Sequence, residues 1–579
     1  MKSRLAVLIV LAFSVLAAAA VPANASKNLY LAAGDNGPNA AALAFSLSAD
    51  GTPSPLQTIT EAGGGYFNAI SMSPNGKFVF MVDYSKNEIR SYTVGADGKL
   101  TNSPGSPTIP AGDPGPYGSA VTPDGKFLIV GLYDQHGVQA FTIGANGSLS
   151  AAPGGPVEVD PGAFPYSVAV STDSRTVYLP NYTGDEVYVL RIAADGTLTE
   201  LPASPVAAGD DPYHAAVTPD GKFLYVTNQL SNDVSGYSLG ADGTPTPLTG
   251  SPFPVMSDVY GGLAISPNGK KLYSSGSDQI QSASIGSNGA LTAGPTTLIS
   301  NYNAPLALNP AGTRLYNGVD ESSVDSRLLT FSVRASGALL PFGDPLPLDA
   351  SLTPDSDSLV VTPAQPPVAA LTAKSGSKGT VSFDASGSTD PDGSIASYAW
   401  DFGDGQTATT TTPTTSHSYA KDGKFPATVT LTDSDNCSTE MVFTGRSAYC
   451  NGSEVAKAAT TAVADRQVSG AKVTAAKTQK QKGSKVLIKV KAGATENVTL
   501  QAKGSVKYKG LRGKVGLKTF NGKTSARKYR TLNLRPQKGA RATAGRKGNA
   551  VITVKLTDEV GNSLTRTVRV KVVPTKRKK

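Results

Sequence analysis

The chain has 579 residues with 61 Gly, 40 Pro and only two Cys, which makes it too long for one domain and too rich in turn formers for a helical protein. Its net charge of +9 conceals an asymmetry: residues 466–579 carry 31 Lys+Arg against 3 Asp+Glu, and residues 1–465 carry 22 against 41. Parts so unlike in charge meet different partners, and with no Cys/His cluster at zinc spacing the composition argues against a zinc-stapled fold.

Residues 1–25 read as an export signal. Lys2 and Arg4 precede an apolar run from Leu5 to Ala20, and Ala23-Asn-Ala25 supplies the small residues of a cleavage site. The run is short for a bilayer span. The mature chain is therefore expected to be secreted or held at the extracellular surface of a bacterial cell.

Residues 26–365 repeat one phrase. It starts at Ser73, Thr122, Ser171, Thr218, Ser266 and Asn309, at spacings of 49, 49, 47, 48 and 43 residues. In most copies Pro-Asp/Asn-Gly makes a tight turn, with Gly free to take positive φ, between apolar strands. A second Asp/Asn-Gly turn follows about 20 residues later in most units, so each unit holds four short strands, the make-up of one propeller blade. A seventh blade is split. The segment from Asn28 lacks a first strand, and that from Ser358 to Pro363 lacks a second. Sharing one blade between them closes the ring and removes open sheet edges.

These repeats, with Leu-Tyr-Val-Thr-Asn228, resemble the lactonase-like, YVTN-type seven-bladed propellers, a family that includes 6-phosphogluconolactonase. The resemblance implies a site of His, Arg and Glu at the tunnel mouth. His214 matches. Ser167, Tyr213, Gln229 and Leu306 stand where a His, an Arg, a Glu and an Arg are expected. Lactone opening needs a base for water and cations for the oxyanion and phosphate, and these four side chains supply neither. A catalytic role for His214 is thus weakened, and a hydrolase is the alternative to a non-catalytic platform. Tyr66, Tyr117, Tyr166, Tyr213, Tyr260 and Tyr302 precede the turn phrases and are placed at the tunnel mouth. They form either a sugar-binding ring or an aromatic plug.

Residues 366–465 contain Val381-Ser-Phe-Asp-Ala-Ser-Gly, Asp390-Pro-Asp-Gly and Tyr398-Ala-Trp-Asp-Phe-Gly-Asp-Gly, which closely resemble a PKD domain, a small Ig-like sandwich with Trp400 as core anchor. Asp384, Asp390, Asp392, Asp401 and Asp404 lack the spacing of a calcium loop and read as turn residues, so no metal and no cofactor is expected. Cys437 and Cys450 bracket a hairpin-like insertion and, in an exported chain, are expected to pair. Residues 466–573 alternate apolar and basic residues and resemble a bacterial Ig-like sandwich, followed by a basic tail at 574–579. The expected fold is all-β: a seven-bladed propeller plus two small Ig-like sandwiches. The expected function is exported attachment. Residues 466–579 would meet an anionic cell-wall polymer or membrane surface, without specific nucleic-acid recognition, while the propeller takes a carbohydrate or protein ligand.

Overall fold

The computed structural model describes residues 27–575 apart from 35–38, 63–64, 111, 113–114, 260, 300–304, 320–325, 350–351, 482–485 and 538–545. The export segment, Tyr260, Tyr302 and the last four residues of the tail lie outside the described residues. Among the described residues regular structure is β, apart from two three-residue 3-10 turns. No described helix is long and apolar enough to cross a membrane.

The chain forms two compact units. One runs to Val368 and takes in Thr389–Ala396 and Leu431–Ala456; the other comprises Ala369–Ser388, Ser397–Thr430 and Lys457–Lys579. The sequence reading treated 366–465 as one contiguous module. The difference arises because the segment bracketed by the cysteines packs on the propeller, as described below.

The first unit is a seven-bladed propeller. In the blade that contains the third turn phrase, Ala169–Val170, Thr176–Asn181, Glu186–Ile192 and Leu198–Glu200 pair in order, with Val206–Ala207 also pairing with Glu186–Val187. The turn phrase makes the first corner. Thr218 Oγ1 donates to Asp220 Oδ1 at 2.7 Å and accepts from the Phe223 amide at 3.1 Å, while Gly221 takes φ 68°. The Tyr ending several phrases staples neighbouring blades. Tyr178, Tyr225 and Tyr316 donate to the carbonyls of Gly243, Gly289 and Gly51 at 2.9, 2.6 and 2.8 Å, and Tyr30 donates to Gly98 at 2.9 Å. Each accepting Gly belongs to the second turn of the next blade, so four of the seven blades are tied to their neighbour by one hydroxyl; Phe80 and Ile129 end two other phrases, and Tyr273 Oη is buried without a partner. The last blade is the split one. Thr353–Val361 pairs antiparallel with Asn28–Gly34, with Leu29 opposite Val361 and Leu31 opposite Leu359.

In the second unit, the strands Thr372–Ser375, Thr380–Asp384 and Thr414–Ser418 form one sheet. Trp400 is 2% exposed, and its indole donates to Thr410 Oγ1 at 2.9 Å, which makes it the expected anchor. Residues 472–574 form two further sheets that enclose Val490, Leu500, Leu532, Ile552 and Val570.

Candidate functional site

In every blade but the split one, a Tyr stands near the start of the innermost strand, which ends at the turn phrase. Phe164, Tyr84, Tyr117, Tyr133, Tyr166, Tyr182 and Tyr213 form one continuous aromatic cluster at the first end, with centroids 4.6–5.9 Å apart and mostly edge-to-face. Of the predicted ring, Tyr117, Tyr166 and Tyr213 are brought together. Tyr66 packs over Gly34. The rings interlock with one another, and all but Tyr213 keep partly exposed edges. Burial raises Tyr117 and Tyr213 well above the usual phenol range, and the charge of Asp355 adds to it.

The opposite end is closed by the chain itself. The disulfide Cys437–Cys450 clips a two-stranded hairpin, Val442–Phe443 with Ala448–Cys450, whose tip meets the innermost strands at their turn-phrase ends. The Val170 amide donates to Gly445 O at 2.8 Å, the Val217 amide donates to Thr444 O at 3.2 Å, and Tyr449 Oη donates to Ile265 O at 3.0 Å. Phe443 and Ala448 join the apolar cluster of Val170, Val177 and Leu179, and Tyr449 joins that of Tyr273 and Leu315. A cavity of about 30 Å³ remains between hairpin and blades, room for no more than a water.

From this tip Arg446 reaches inward. Its guanidinium pairs with Asp357 and donates to Ser167 Oγ at 3.4 Å. Ser167 and His214, both within reach of that guanidinium, lie three residues before Val170 and Val217, about 10 Å at strand rise. His214 is 1% exposed, and its Nδ1 is 3.1 Å from Asp357 Oδ1. The same Nδ1 is 3.4 Å from Arg446 Nη1, and Nε2 is buried without a hydrogen-bond partner. Burial raises Asp357, but the charges of Arg446 and His214 and their hydrogen bonds outweigh it and hold the carboxylate well below its usual range. Neighbouring Asp355 is raised by burial.

The sequence reading singled out His214 and Ser167 but found neither cation nor carboxylate beside them. The structure supplies both, from Arg446 and Asp357, which lie 232 and 143 residues beyond His214 in the chain. Of the other replaced positions, Tyr213 belongs to the aromatic cluster, Leu306 is buried in its strand, and the Gln229 amide donates to Asp211 O at 2.8 Å. The signal for Arg446 was a Gly-Arg tip flanked by Phe443 and Tyr449 between paired cysteines. Nothing local says where such a tip docks.

A second polar group corrects the expectation that the Asp residues are turn residues alone. Asp384, Asp401 and Asp404 do cap local turns, accepting from Ser386, Gly403 and Gln406 amides at 2.8, 2.8 and 3.1 Å. Asp390 Oδ1 caps a turn too, accepting the Asp392 and Gly393 amides at 3.2 and 3.0 Å, but Asp390 and Asp392 also converge with Asp433, carboxylate oxygens within 4.8 Å of one another, and Asp390 Oδ2, Asp392 Oδ1 and Asp433 Oδ2 are buried without partners. Burial, with Asp390 and Asp433 adding, pushes Asp392 up to about 7, and burial pushes Asp433 up to about 6. This all-oxygen set fits a hard divalent cation.

Residues 106–351 match the sequence model described as lactonase, seven-bladed β-propeller, and residues 364–445 match that of the PKD domain. A putative 6-phosphogluconolactonase from Bacteroides uniformis has the same fold at TM-score 0.50 and 18% identity, covering 58% of this chain and all of that one. A putative 6-phosphogluconolactonase from Bacteroides fragilis gives TM-score 0.49 at 21% identity over 58% of this chain and 98% of its own. A microbial collagenase of Vibrio alginolyticus is 40% identical over 80 residues, 14% of this chain. A pre-pro-metalloprotease of Vibrio cholerae is 54% identical over 46 residues, 8% of this chain. The matched stretches span only 10% and 5% of those two relatives.

Proposed function

Because the chain carries a lactonase-type seven-bladed propeller joined to a PKD domain, we propose that it is an extracellular attachment protein with a sealed, non-hydrolytic propeller and a basic module that binds an anionic cell-wall polymer or membrane surface. The partial likeness to a microbial collagenase and a pre-pro-metalloprotease supports a place outside the cell.

One observation carries the attachment reading. Strands Val498–Tyr508, Phe520–Thr524, Gly548–Thr557 and Ser563–Pro574 turn alternate residues outward. The register puts Lys503, Lys507, Lys523, Lys555, Arg569 and Lys571 on that one exposed face, and none of these strands contains Asp or Glu. A flat face of one sign attracts polyanions by counterion release, without reading their sequence or pattern. Co-sedimentation of the full chain with phosphatidylglycerol vesicles and with isolated cell walls tests this. Binding should weaken steeply between 50 and 500 mM salt, about tenfold or more. It should be lost when the six side chains are changed to Gln, and retention by that variant would refute the role of the face. Preference for walls over vesicles names the surface.

The second reading, a lactone hydrolase, is favoured by one feature: a buried Asp357–His214 pair beside Arg446 has the acid, base and cation types such chemistry uses. It requires access to a His214 that is 1% exposed and lies beneath the hairpin tip.

A further inference from the structure

Of the three acidic residues in the basic segment 466–579, two meet at one point. Glu496 lies in the turn between Ile488–Gly493 and Val498–Tyr508. Asp558 lies in the turn between Gly548–Thr557 and Ser563–Pro574. Asp465, directly after the strand Lys457–Ala464, completes the group, with a carboxylate oxygen from each within 4.8 Å of the others.

Chance crowding of surface acids does not account for the geometry. Asp558 is 8% exposed; its Oδ1 accepts the Asn562 amide at 2.8 Å, and its Oδ2 is buried with no hydrogen-bond partner. Asp465 Oδ1 accepts the Gln467 amide at 3.2 Å, and Glu496 Oε1 accepts the Ser469 amide, so backbone donors fix one oxygen of every carboxylate. Among the described residues no Lys or Arg pairs with any of the three, in a segment that holds 31 of them. A buried carboxylate oxygen facing two other carboxylates, unpaired and unsolvated, is costly unless a cation sits among them.

We propose that Asp465, Glu496 and Asp558 form a divalent-cation site of the calcium class that ties the PKD sandwich to the basic sandwich. The donors are all oxygen, which selects a hard cation, and oxygens held by one calcium ion at ~2.4 Å lie up to ~4.8 Å apart. Magnesium needs a tighter, near-octahedral shell that three separate loops do not preorganise. The site also lies where the two sandwiches of this unit touch. Asn562 Nδ2 donates to Asp465 O at 3.0 Å, and the Lys378 amide donates to Asn562 Oδ1 at 2.5 Å. Burial raises both Asp465 and Glu496, and the charges of Asp558 and Asp422 raise them further, a repulsion that a bound cation relieves.

The test is scanning calorimetry of the full chain at pH 7.5 in EDTA and in calcium chloride, with Asp558→Asn, Glu496→Gln and, to silence the other acidic group, Asp433→Asn. Calcium should raise a transition of wild type and of Asp433→Asn by roughly 5–10 °C at hundredfold excess over Kd. It should leave that transition unmoved in Asp558→Asn and Glu496→Gln. In EDTA, Asp558→Asn should melt no lower than wild type, because the substitution removes repulsion and keeps the Oδ1 acceptor. A structural role alone predicts the opposite order in EDTA. A calcium shift that survives both substitutions, or one lost only in Asp433→Asn, or no shift in wild type, overturns the proposal.

Discussion

At the residue scale the account turns on Arg446. Its pair with Asp357 is largely buried, and each group has lost water that the other replaces, with His214 and Ser167 beside them. Removing one partner strands the other. Arg446→Ala should therefore destabilise the first unit by about 3–5 kcal/mol, measured by urea unfolding of the full chain. Arg446→Met combined with Asp357→Leu should recover much of that loss, and an additive double variant would deny the pairing. Because Asp357 is held below its unfolded value near 3.9, its contribution is complete above about pH 4 and fades only in stronger acid. The Asp390–Asp392–Asp433 group has the opposite sign. With Asp392 at about 7 and Asp433 at about 6, the folded state binds more protons than the unfolded state between about pH 4 and 7. In EDTA, stability should fall as pH rises through that window, and Asp392→Asn should flatten the fall in a pH series of melting curves. His214 was visible in the sequence because it follows Pro212-Tyr213 before a turn phrase. Its partners were not, since an ion pair closed over 89 residues of separate folding leaves no spacing to read.

At the element scale the blades were legible and the hairpin's destination was not. Turn chemistry is local: Ser/Thr, Asp/Asn and Gly at fixed offsets specify the corner whatever surrounds it. The phrase-ending Tyr also had a use that the repeat displayed but did not explain. Tyr225→Phe should cost about 1 kcal/mol by leaving Gly289 O without its donor. The hairpin depends on its tip fitting between blades. Gly445 has φ 91°, and a Cβ there would stand 3.0 Å from the Val217 amide nitrogen and 3.3 Å from Ala169 Cβ. Gly445→Val should unseat the tip, read as new hydrogen exchange at Val170 and Val217. Unchanged protection of both amides would mean that the hairpin does not hold them. Loss of the Cys437–Cys450 clip, with 13 residues of separation, should cost about 3 kcal/mol from loop entropy alone.

At the scale of the whole molecule, charge and architecture divide the work. The acidic part of the chain builds a propeller with an aromatic cluster at one end and its own hairpin at the other. The basic part presents an exposed cationic face on a well-packed sandwich. Composition announced that division, since 31 bases against 3 acids in 114 residues is legible without any structure. The convergence of two of those three acids was not, because it depends on which turns meet. The central claim is that the propeller centre is a structural ion pair rather than a hydrolytic site. The most direct measurement is hydrolysis of 6-phosphogluconolactone and gluconolactone by the full chain beside His214→Ala. The account predicts no rate above spontaneous opening for either protein. Turnover by the wild-type chain that vanishes in His214→Ala would contradict it, because a substrate would then have reached a histidine that the structure seals away.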